Sequence, residues 1–163
     1  MKVICSMVMS LDGFIADSNC KTVSGPDDWA VFAKQAKNYK NFVIGRGTNR
    51  KGTLDSIDCE YRVMVSSRPY DNPNFIHAKS PRAVLELLKG KVDTVYLVGG
   101  GTLNASFAHD NLIDELVITI VPRVIGAGIR LFGEAGVSLE LKLLKEETLD
   151  NDSTRLTYQV QKT

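Results

Sequence analysis

Three consecutive glycines stand where a strand pattern changes into a helix pattern. An apolar run at residues 95–98 is followed by Gly99, Gly100, Gly101, Thr102 and Leu103. Without Cβ atoms, these glycines let a ligand contact the backbone, and the free N–H groups at a helix start attract a phosphate. The alternative is a plain glycine turn between a strand and a helix, and these residues alone favour neither interpretation.

Two more apolar segments end in groups that suit a phosphate. Residues 41–44 are followed by Gly45, Arg46 and Thr48, and residues 61–65 are followed by Ser66, Ser67 and Arg68. A guanidinium beside hydroxyls binds a dianion through several hydrogen bonds at once. If the three segments end on a common edge of one sheet, their side chains form one anion-binding site.

The first apolar segment, residues 3–9, ends in groups that suit a reaction centre. Ser10 and Asp12 follow it directly, with Gly13 after them. The carboxyl end of a central strand is where open α/β sheets place ligand groups. The alternative is a plain turn in which Asp12 bonds its own backbone.

A second pair of acids lies at a predicted helix start. Pro26 suits the first helical position, and Asp27 and Asp28 complement the helix dipole in the first turn. Asp28 has two interpretations, because it is either an exposed first-turn acid or a carboxyl directed into a cleft beside Trp29. Composition alone favours the exposed position.

The elements that position these groups follow from hydrophobic periodicity. Helical spacing covers residues 26–40, 80–90 and 102–109. Strand patterns cover residues 3–9, 41–44, 61–65, 74–77, 95–98 and 113–121, and a hairpin at 151–153 joins a last pair at 139–144 and 155–160. This order predicts one α/β domain over residues 1–163, with a mostly parallel central sheet and antiparallel C-terminal strands.

Composition excludes several classes of function. The 163 residues suit a single domain, and a net charge of +1 without a basic run among aromatics argues against nucleic-acid binding. No apolar segment approaches the length of a membrane span, so we expect a cytoplasmic protein. Cys5, Cys20 and Cys59 form no CxxC pair, and with only His77 and His109 no metal site is expected.

Six segments, in order along the chain, resemble the dihydrofolate-reductase-like superfamily. They are S-L-D-G-F-I-A, S-G-P-D-D-W, V-I-G-R-G-T, V-S-S-R, Y-L-V-G-G-G-T-L, and the block from L-I-D-E-L-V to I-R-L-F. The closer branch is the reductase domain of riboflavin biosynthesis, which forms the C-terminal half of bifunctional deaminase-reductases, together with small stand-alone relatives. The resemblance implies a three-layer αβα fold with about eight central strands, NADPH as hydride donor, and a homodimer.

The resemblance also implies roles for single residues. The expected NADPH-binding residues are Trp29, Gly45, Arg46, Thr48, Ser66, Ser67, Arg68, Gly99, Gly100, Gly101, Thr102 and Leu103. The expected catalytic residues are Asp28 and Asp12, and the expected substrate-binding residues are Ser10, Asp27 and Lys37. Asp28 matches the aspartate that holds the pterin ring of dihydrofolate reductases and assists its protonation.

Two departures separate this chain from the riboflavin reductases. Those enzymes carry an acid before the glycine pair, E-G-G, where this chain has Gly99. Residues 49–58 do not match their basic ribose-phosphate pattern, and Lys37, Arg50 and Lys51 are only candidates to replace it.

We therefore expect an NADPH-dependent reductase of a pyrimidine-ribose or pterin-like heterocycle, similar to a 5-amino-6-(5-phosphoribosylamino)uracil reductase. One alternative is a dihydrofolate reductase. The other is a non-catalytic nucleotide-binding dimer, which the absent acid at Gly99 favours.

Overall fold

The computed structural model describes residues 1–162, which fold around one eight-stranded sheet. Its strands and those of a small ribbon are β1 (Lys2–Ser10), β2 (Phe14–Ala16), β3 (Asn41–Gly45), β4 (Tyr61–Val65), β5 (Ile76–Ala78), β6 (Thr94–Leu97), β7 (Glu115–Val121), β8 (Ile129–Arg130), β9 (Glu140–Thr148) and β10 (Thr154–Gln161). The helices are α1 (Pro26–Asn38), α2 (Pro81–Leu88) and α3 (Gly101–His109). The predicted α/β fold is confirmed.

The sheet order is β5-β4-β3-β6-β1-β7-β10-β9, and only the pairings of β10 are antiparallel. The strands β4, β3, β6 and β1 are therefore consecutive neighbours whose carboxyl ends share one edge. At roughly 4.8 Å per strand, these four ends span about 14 Å. This edge brings together the groups that the sequence places after each strand.

Alternating side chains of the sheet enter two separate cores. Val95 and Leu97 of β6 pack with Phe107 of α3 on one face. Tyr96, between them, packs with Phe42 on the other face, in the core that α1 covers. This alternation follows from the period of two in a strand and produces the predicted three layers.

The ribbon of β2 and β8 was not predicted, because residues 14–16 and 129–130 were assigned to loops. Both strands are too short to show alternation in the sequence. Gly128 allows their close approach, since its φ is +149° and a Cβ there would lie 2.0 Å from the Ala16 carbonyl oxygen.

The apolar side chains of β7 are mostly buried within the fold of one chain. Leu116, Ile118 and Val121 are buried in the core of their own chain. The strand lies between β1 and β10, so its apolar side chains need no second copy to bury them. Exposed leucines lie instead on the edge strand β9, at Leu141, Leu143 and Leu144.

No helix within residues 1–162 has the length and apolar character needed to cross a membrane. The same residues contain no cluster of three or more histidine, cysteine, aspartate or glutamate side chains suited to a metal ion.

Candidate functional site

The glycine segment and the end of β3 are in direct contact. The Gly45 N–H donates to the Gly99 carbonyl at 2.8 Å. A Cβ on Gly100 would lie 3.6 Å from the Thr48 hydroxyl oxygen. Gly45 also lies above Leu103, which is buried and positions the first turn of α3. Two of the three predicted anion-binding segments therefore form one continuous surface.

Two of the three glycines occupy positions that no other residue fits without displacement. Gly99 has φ +93°, and a Cβ there would lie 2.9 Å from the Met7 methyl carbon. A Cβ on Gly101 would lie 2.4 Å from the Arg130 carbonyl oxygen. The acid of the riboflavin reductases would thus require a strained backbone at position 99 and a shift of Met7.

The helix α3 begins at this surface, with Gly100 as its N-cap. Its first N–H groups have no partners within the helix and carry partial positive charge. Thr102 in its first turn is exposed. This arrangement is typical of a phosphate-binding helix start.

Several polar side chains along the edge are free to bind a ligand. Arg46, Thr48 and Arg68 are exposed, and within residues 1–162 their side chains make no hydrogen bond or ion pair. Ser66 orders the third segment, because its hydroxyl accepts the Arg68 N–H at 3.1 Å. Ser67 beside it is exposed. The end of β4 therefore adds a guanidinium and a hydroxyl to the same edge.

A cavity of about 330 Å³ lies between α1 and the sheet and reaches the shared edge of β4, β3, β6 and β1 at Thr48. The residues that α1 contributes to its wall are Asp28, Trp29, Val31, Phe32 and Gln35, and the C-cap residue Tyr39 follows them. The opposite wall is formed by β1 and β6 and continues across β7 and β10 to β9. The volume lies at the lower end of the roughly 300–1,000 Å³ typical of small-molecule sites.

Four aromatic rings follow one another along this cavity. Trp29 contacts Phe32 edge-on at 5.8 Å, and Phe32 stacks on Tyr96 at 6.2 Å. Tyr39 continues the series at 5.3 Å from Tyr96. Burial raises the pKa of Tyr96 to about 12, so this hydroxyl remains protonated and can donate a hydrogen bond. Such a wall suits a flat, partly polar heterocycle.

Asp28 lies in this cavity, so the exposed position that composition favoured is wrong. The side chain is 8% exposed, and its Oδ2 accepts the Gly25 N–H at 2.8 Å. That bond caps α1 and fixes the carboxylate at the helix start. Within the described residues Oδ1 has no hydrogen-bond partner, so one oxygen remains for a ligand.

Ser10 and Asp12 are not among the residues lining the cavity. The buried Ser10 hydroxyl donates to Asp12 at 2.6 Å and accepts the Phe14 N–H at 3.1 Å. Asp12 also accepts the Gly126 N–H at 2.8 Å and that of Ile125 at 3.2 Å. These contacts connect the end of β1 to the loop after β7, which gives both residues a structural role. Their catalytic and substrate-binding roles stay predictions without support from this geometry.

Replacing Asp12 with asparagine is expected to loosen the loop around Ile125 and Gly126. The Ser10 hydroxyl, helped by the two backbone N–H groups, holds the pKa of Asp12 below its ordinary value. The contribution of the Asp12 carboxylate to folding stability is therefore present above the ordinary pKa of an aspartate. It is lost as pH falls through the lowered pKa of Asp12 in the folded protein. An asparagine side chain has one acceptor oxygen, so it cannot replace all three bonds.

Amide hydrogen exchange followed by NMR at pH 6 tests this prediction. Both loop amides should exchange faster in the variant, while the Gly133 amide, bonded to the Arg130 carbonyl at 3.0 Å, serves as the internal reference. Unchanged exchange at Ile125 and Gly126 would show that Asp12 does not hold the loop.

Asp27 and Lys37 also lie outside the cavity wall. Both are exposed, and Lys37 forms an ion pair with Asp58 at 2.6 Å. Nine residues separate Lys37 from Asp28, about two and a half helical turns, which places the two on opposite sides of α1. Their substrate-binding roles stay predictions that the geometry does not favour.

Sequence reasoning missed the part of the cavity wall that comes from the C-terminal strands. Thr119, Arg155 and Thr157 line the cavity beside Lys145 and Glu147. The alternation of β10 predicted a strand but not the direction of its side chains. The available signal was the alternation itself, which places Arg155 and Thr157 on the face opposite to Leu156, Tyr158 and Val160.

Comparison with known proteins adds a family and a fold. A family model described as the RibD C-terminal domain matches residues 1–154. The uncharacterised protein YwjB of Bacillus subtilis (strain 168) is 26% identical over 159 residues, which cover 87% of this chain and 88% of YwjB.

Two solved structures extend the comparison. A putative riboflavin biosynthesis protein of Shewanella sp. PV-4 has 27% identity and a TM-score of 0.76, with 99% of this chain and 100% of that one covered. The dihydrofolate reductase of Enterococcus faecalis, solved with NADP(H), has a TM-score of 0.78 at 16% identity, with 99% and 97% covered. At that identity the second likeness shows the fold alone.

Proposed function

This chain belongs to the RibD C-terminal domain family, and from that premise we propose that it is an NADPH-dependent reductase of a pyrimidine-ribose or pterin-like heterocycle. The observation that carries the proposal is the meeting of two surfaces. An edge of glycines and free cationic side chains adjoins an aromatic cavity that contains one buried carboxylate. Thr48 belongs to both surfaces.

The residues of the edge fit NADPH. The glycine segment and the start of α3 would bind the pyrophosphate, because a backbone without Cβ atoms permits close approach. Arg46 and Thr48 would bind beside them, and Arg68 with Ser67 would hold the 2′-phosphate. Trp29 would contact the cofactor at the cavity entrance, where its side chain is 41% exposed. When bound, NADPH supplies the hydride.

Within the cavity, Asp28 would bind and orient the ring of the substrate. Its free oxygen accepts a hydrogen bond from a ring N–H or amino group, as a buried carboxylate in an aromatic pocket does. When a C=N bond is reduced, its nitrogen needs a proton, and Asp28 is the carboxyl placed to assist that transfer. Phe32 and Tyr96 would hold the ring flat against the wall.

NADPH oxidation against a panel of substrates tests the proposed function. The panel contains dihydrofolate, a dihydropterin and the ribosylamino-pyrimidine intermediate of riboflavin synthesis. We expect turnover of the pyrimidine or of the dihydropterin.

The same panel separates the two alternatives. Dihydrofolate reductase activity, favoured by the buried Asp28 at a helix start, would appear as consumption of dihydrofolate. A non-catalytic nucleotide-binding protein, favoured by Gly99 at a position where an acid would be strained, would bind NADPH and turn over no member of the panel.

Arg68→Ala is expected to weaken NADPH binding much more than NADH binding. The guanidinium contributes charge-assisted hydrogen bonds to the 2′-phosphate, each worth roughly 1.5–3 kcal/mol, so NADPH affinity should fall by about 10-fold to 100-fold. Titration calorimetry with both cofactors measures the difference. Equal losses for NADPH and NADH would remove Arg68 from the 2′-phosphate site.

We further propose a cytoplasmic homodimer. The exposed leucines of β9 offer an apolar surface for a second copy. A light-scattering mass near the 17.9 kDa of one chain would contradict the dimer.

A further inference from the structure

One wall of the cavity is polar and has no part in the proposed contacts with NADPH. Strand register places Val8, Thr119, Arg155 and Glu147 side by side across β1, β7, β10 and β9. Arg155 thus lies two strand spacings, roughly 10 Å, from β1. It is half-buried and lines the same cavity as Trp29.

Four charged side chains line this cavity, and three of them already have partners. Lys145 and Glu147 form an ion pair at 2.8 Å, and the Lys145 ammonium is the main reason that the pKa of Glu147 lies below its ordinary value. Asp28 accepts the N–H of the α1 cap. The remaining charge belongs to Arg155, which lies across from Glu147 and also helps to lower the pKa of that carboxyl, but forms no ion pair with it.

The guanidinium of Arg155 is held in place by one hydrogen bond and has further N–H donors available for a ligand. Its Nε donates to the Thr119 hydroxyl at 3.2 Å, which fixes the plane of the group. Within the described chain, its two terminal nitrogens make no hydrogen bond and no ion pair. A planar fork with both terminal nitrogens free matches the two oxygens of a carboxylate or phosphate. The Thr157 hydroxyl, also on the cavity wall, can donate to the same anion.

We propose that Arg155 binds an anionic arm of the substrate, a carboxylate or a phosphate, while the ring of the substrate lies beside Trp29 and Asp28. The inference rests on the proposed function for the position of the ring. It makes Arg155 a specificity-determining residue, which selects ring compounds that carry an anion over the same rings without one.

The test measures binding of two matched pairs of probes without NADPH. Uridine 5′-monophosphate and uridine differ by a phosphate, and 4-aminobenzoyl-glutamate and its diamide differ by two carboxylates. Fluorescence of Trp29, the single tryptophan of the chain, reports binding in the cavity, and titration calorimetry gives the affinity. The phosphate and carboxylate pairs distinguish the two sources of the anion.

We expect the wild-type protein to prefer the anionic member of at least one pair. Arg155→Met should reduce affinity for that anion by roughly 10-fold to 100-fold, and Arg155→Lys should restore part of it. The neutral probe should bind equally to all variants. Lys142→Met, on exposed β9 outside the cavity wall, is the matched control and should change nothing. Arg155→Gln replaces Arg155→Met if the latter fails to fold.

Three results would overturn the inference. They are the absence of saturable binding by either anionic probe, an equal loss for charged and neutral probes in Arg155→Met, and a light-scattering mass that halves in Arg155→Met. The last would identify this wall as an interface between copies. Because the titrations contain no NADPH, a protein that binds the anions but never oxidises NADPH would contradict the proposed function and leave the role of Arg155 standing.

Discussion

Asp28→Asn will lower NADPH-dependent turnover at pH 7 by roughly 10²- to 10⁴-fold, the usual contribution of a positioned acid or base. Asparagine keeps the shape of the side chain but cannot carry a negative charge or exchange a proton. The carboxylate is buried among aromatic rings and has one oxygen without a partner in the described chain. The variant therefore removes the negative charge and the proton exchange of Asp28 and leaves its contribution to the fold in place.

The asparagine variant is expected to fold normally. Its amide oxygen can still accept the Gly25 N–H that the carboxylate accepts at 2.8 Å, so the cap of α1 is retained. NADPH affinity should stay within about twofold of the wild type, because Asp28 has no part in the proposed contacts with NADPH.

Steady-state kinetics with the best substrate of the panel measures the effect. Glu86→Gln, an exposed acid on α2, serves as the control for removing one negative charge and should keep full activity. Full activity in Asp28→Asn would exclude a proton-transfer role for this carboxyl. A loss of activity with a lowered melting temperature would assign the residue to the fold.

Gly101→Ala will destabilise the protein by about 1–3 kcal/mol or more, the usual cost of inserting atoms into a packed interior. The new Cβ would lie 2.4 Å from the Arg130 carbonyl oxygen and 2.7 Å from the Gly133 nitrogen. Both are backbone atoms, which cannot rotate away as a side chain does. The start of α3 and the segment after β8 must therefore move apart.

Chemical denaturation gives the free energy of unfolding for this comparison. Gly136→Ala is the matched control, because its Cβ meets no atom within 4 Å and its backbone is unstrained. It should stay within about 0.5 kcal/mol of the wild type. Gly101→Ala should also weaken NADPH binding, since the displaced turn belongs to the proposed pyrophosphate surface. Equal stability of the two variants would mean that the contact of α3 with residues 130–133 is loose.

Local sequence patterns are sufficient for the helices and the central strands that surround the site, but not for the short ribbon of β2 and β8. Residues 3–9, 41–44 and 61–65 are largely apolar, interrupted only by Ser6, Asn41 and Arg62, because their strands are mostly buried on both faces. The glycine and arginine residues that follow such a segment can be read directly from the sequence. A parallel sheet then brings the strand ends to one edge, so most of the proposed cofactor surface follows from the sequence.

The cavity is less predictable, because it depends on register and on long-range packing. The burial of Asp28 results from the packing of α1 on β3, and a first-turn acid looks the same in the sequence whether exposed or buried. The direction of Arg155 depends on the pairing of β10 with β7 and β9, which includes a register shift at Thr157 and Tyr158. One residue of slip would turn Arg155 to the other face.

The shared edge of β4, β3, β6 and β1 has a thermodynamic consequence. Its contributions come from positions as far apart as Arg46, Arg68 and Gly101, so the complete surface forms only when the strands are paired in the folded sheet. A ligand that binds there binds the native state and not the unfolded chain, and at 100 times its dissociation constant it adds about 2.7 kcal/mol to the free energy of unfolding. The concentration of the ligand in the cell thereby becomes part of the stability of the whole sheet.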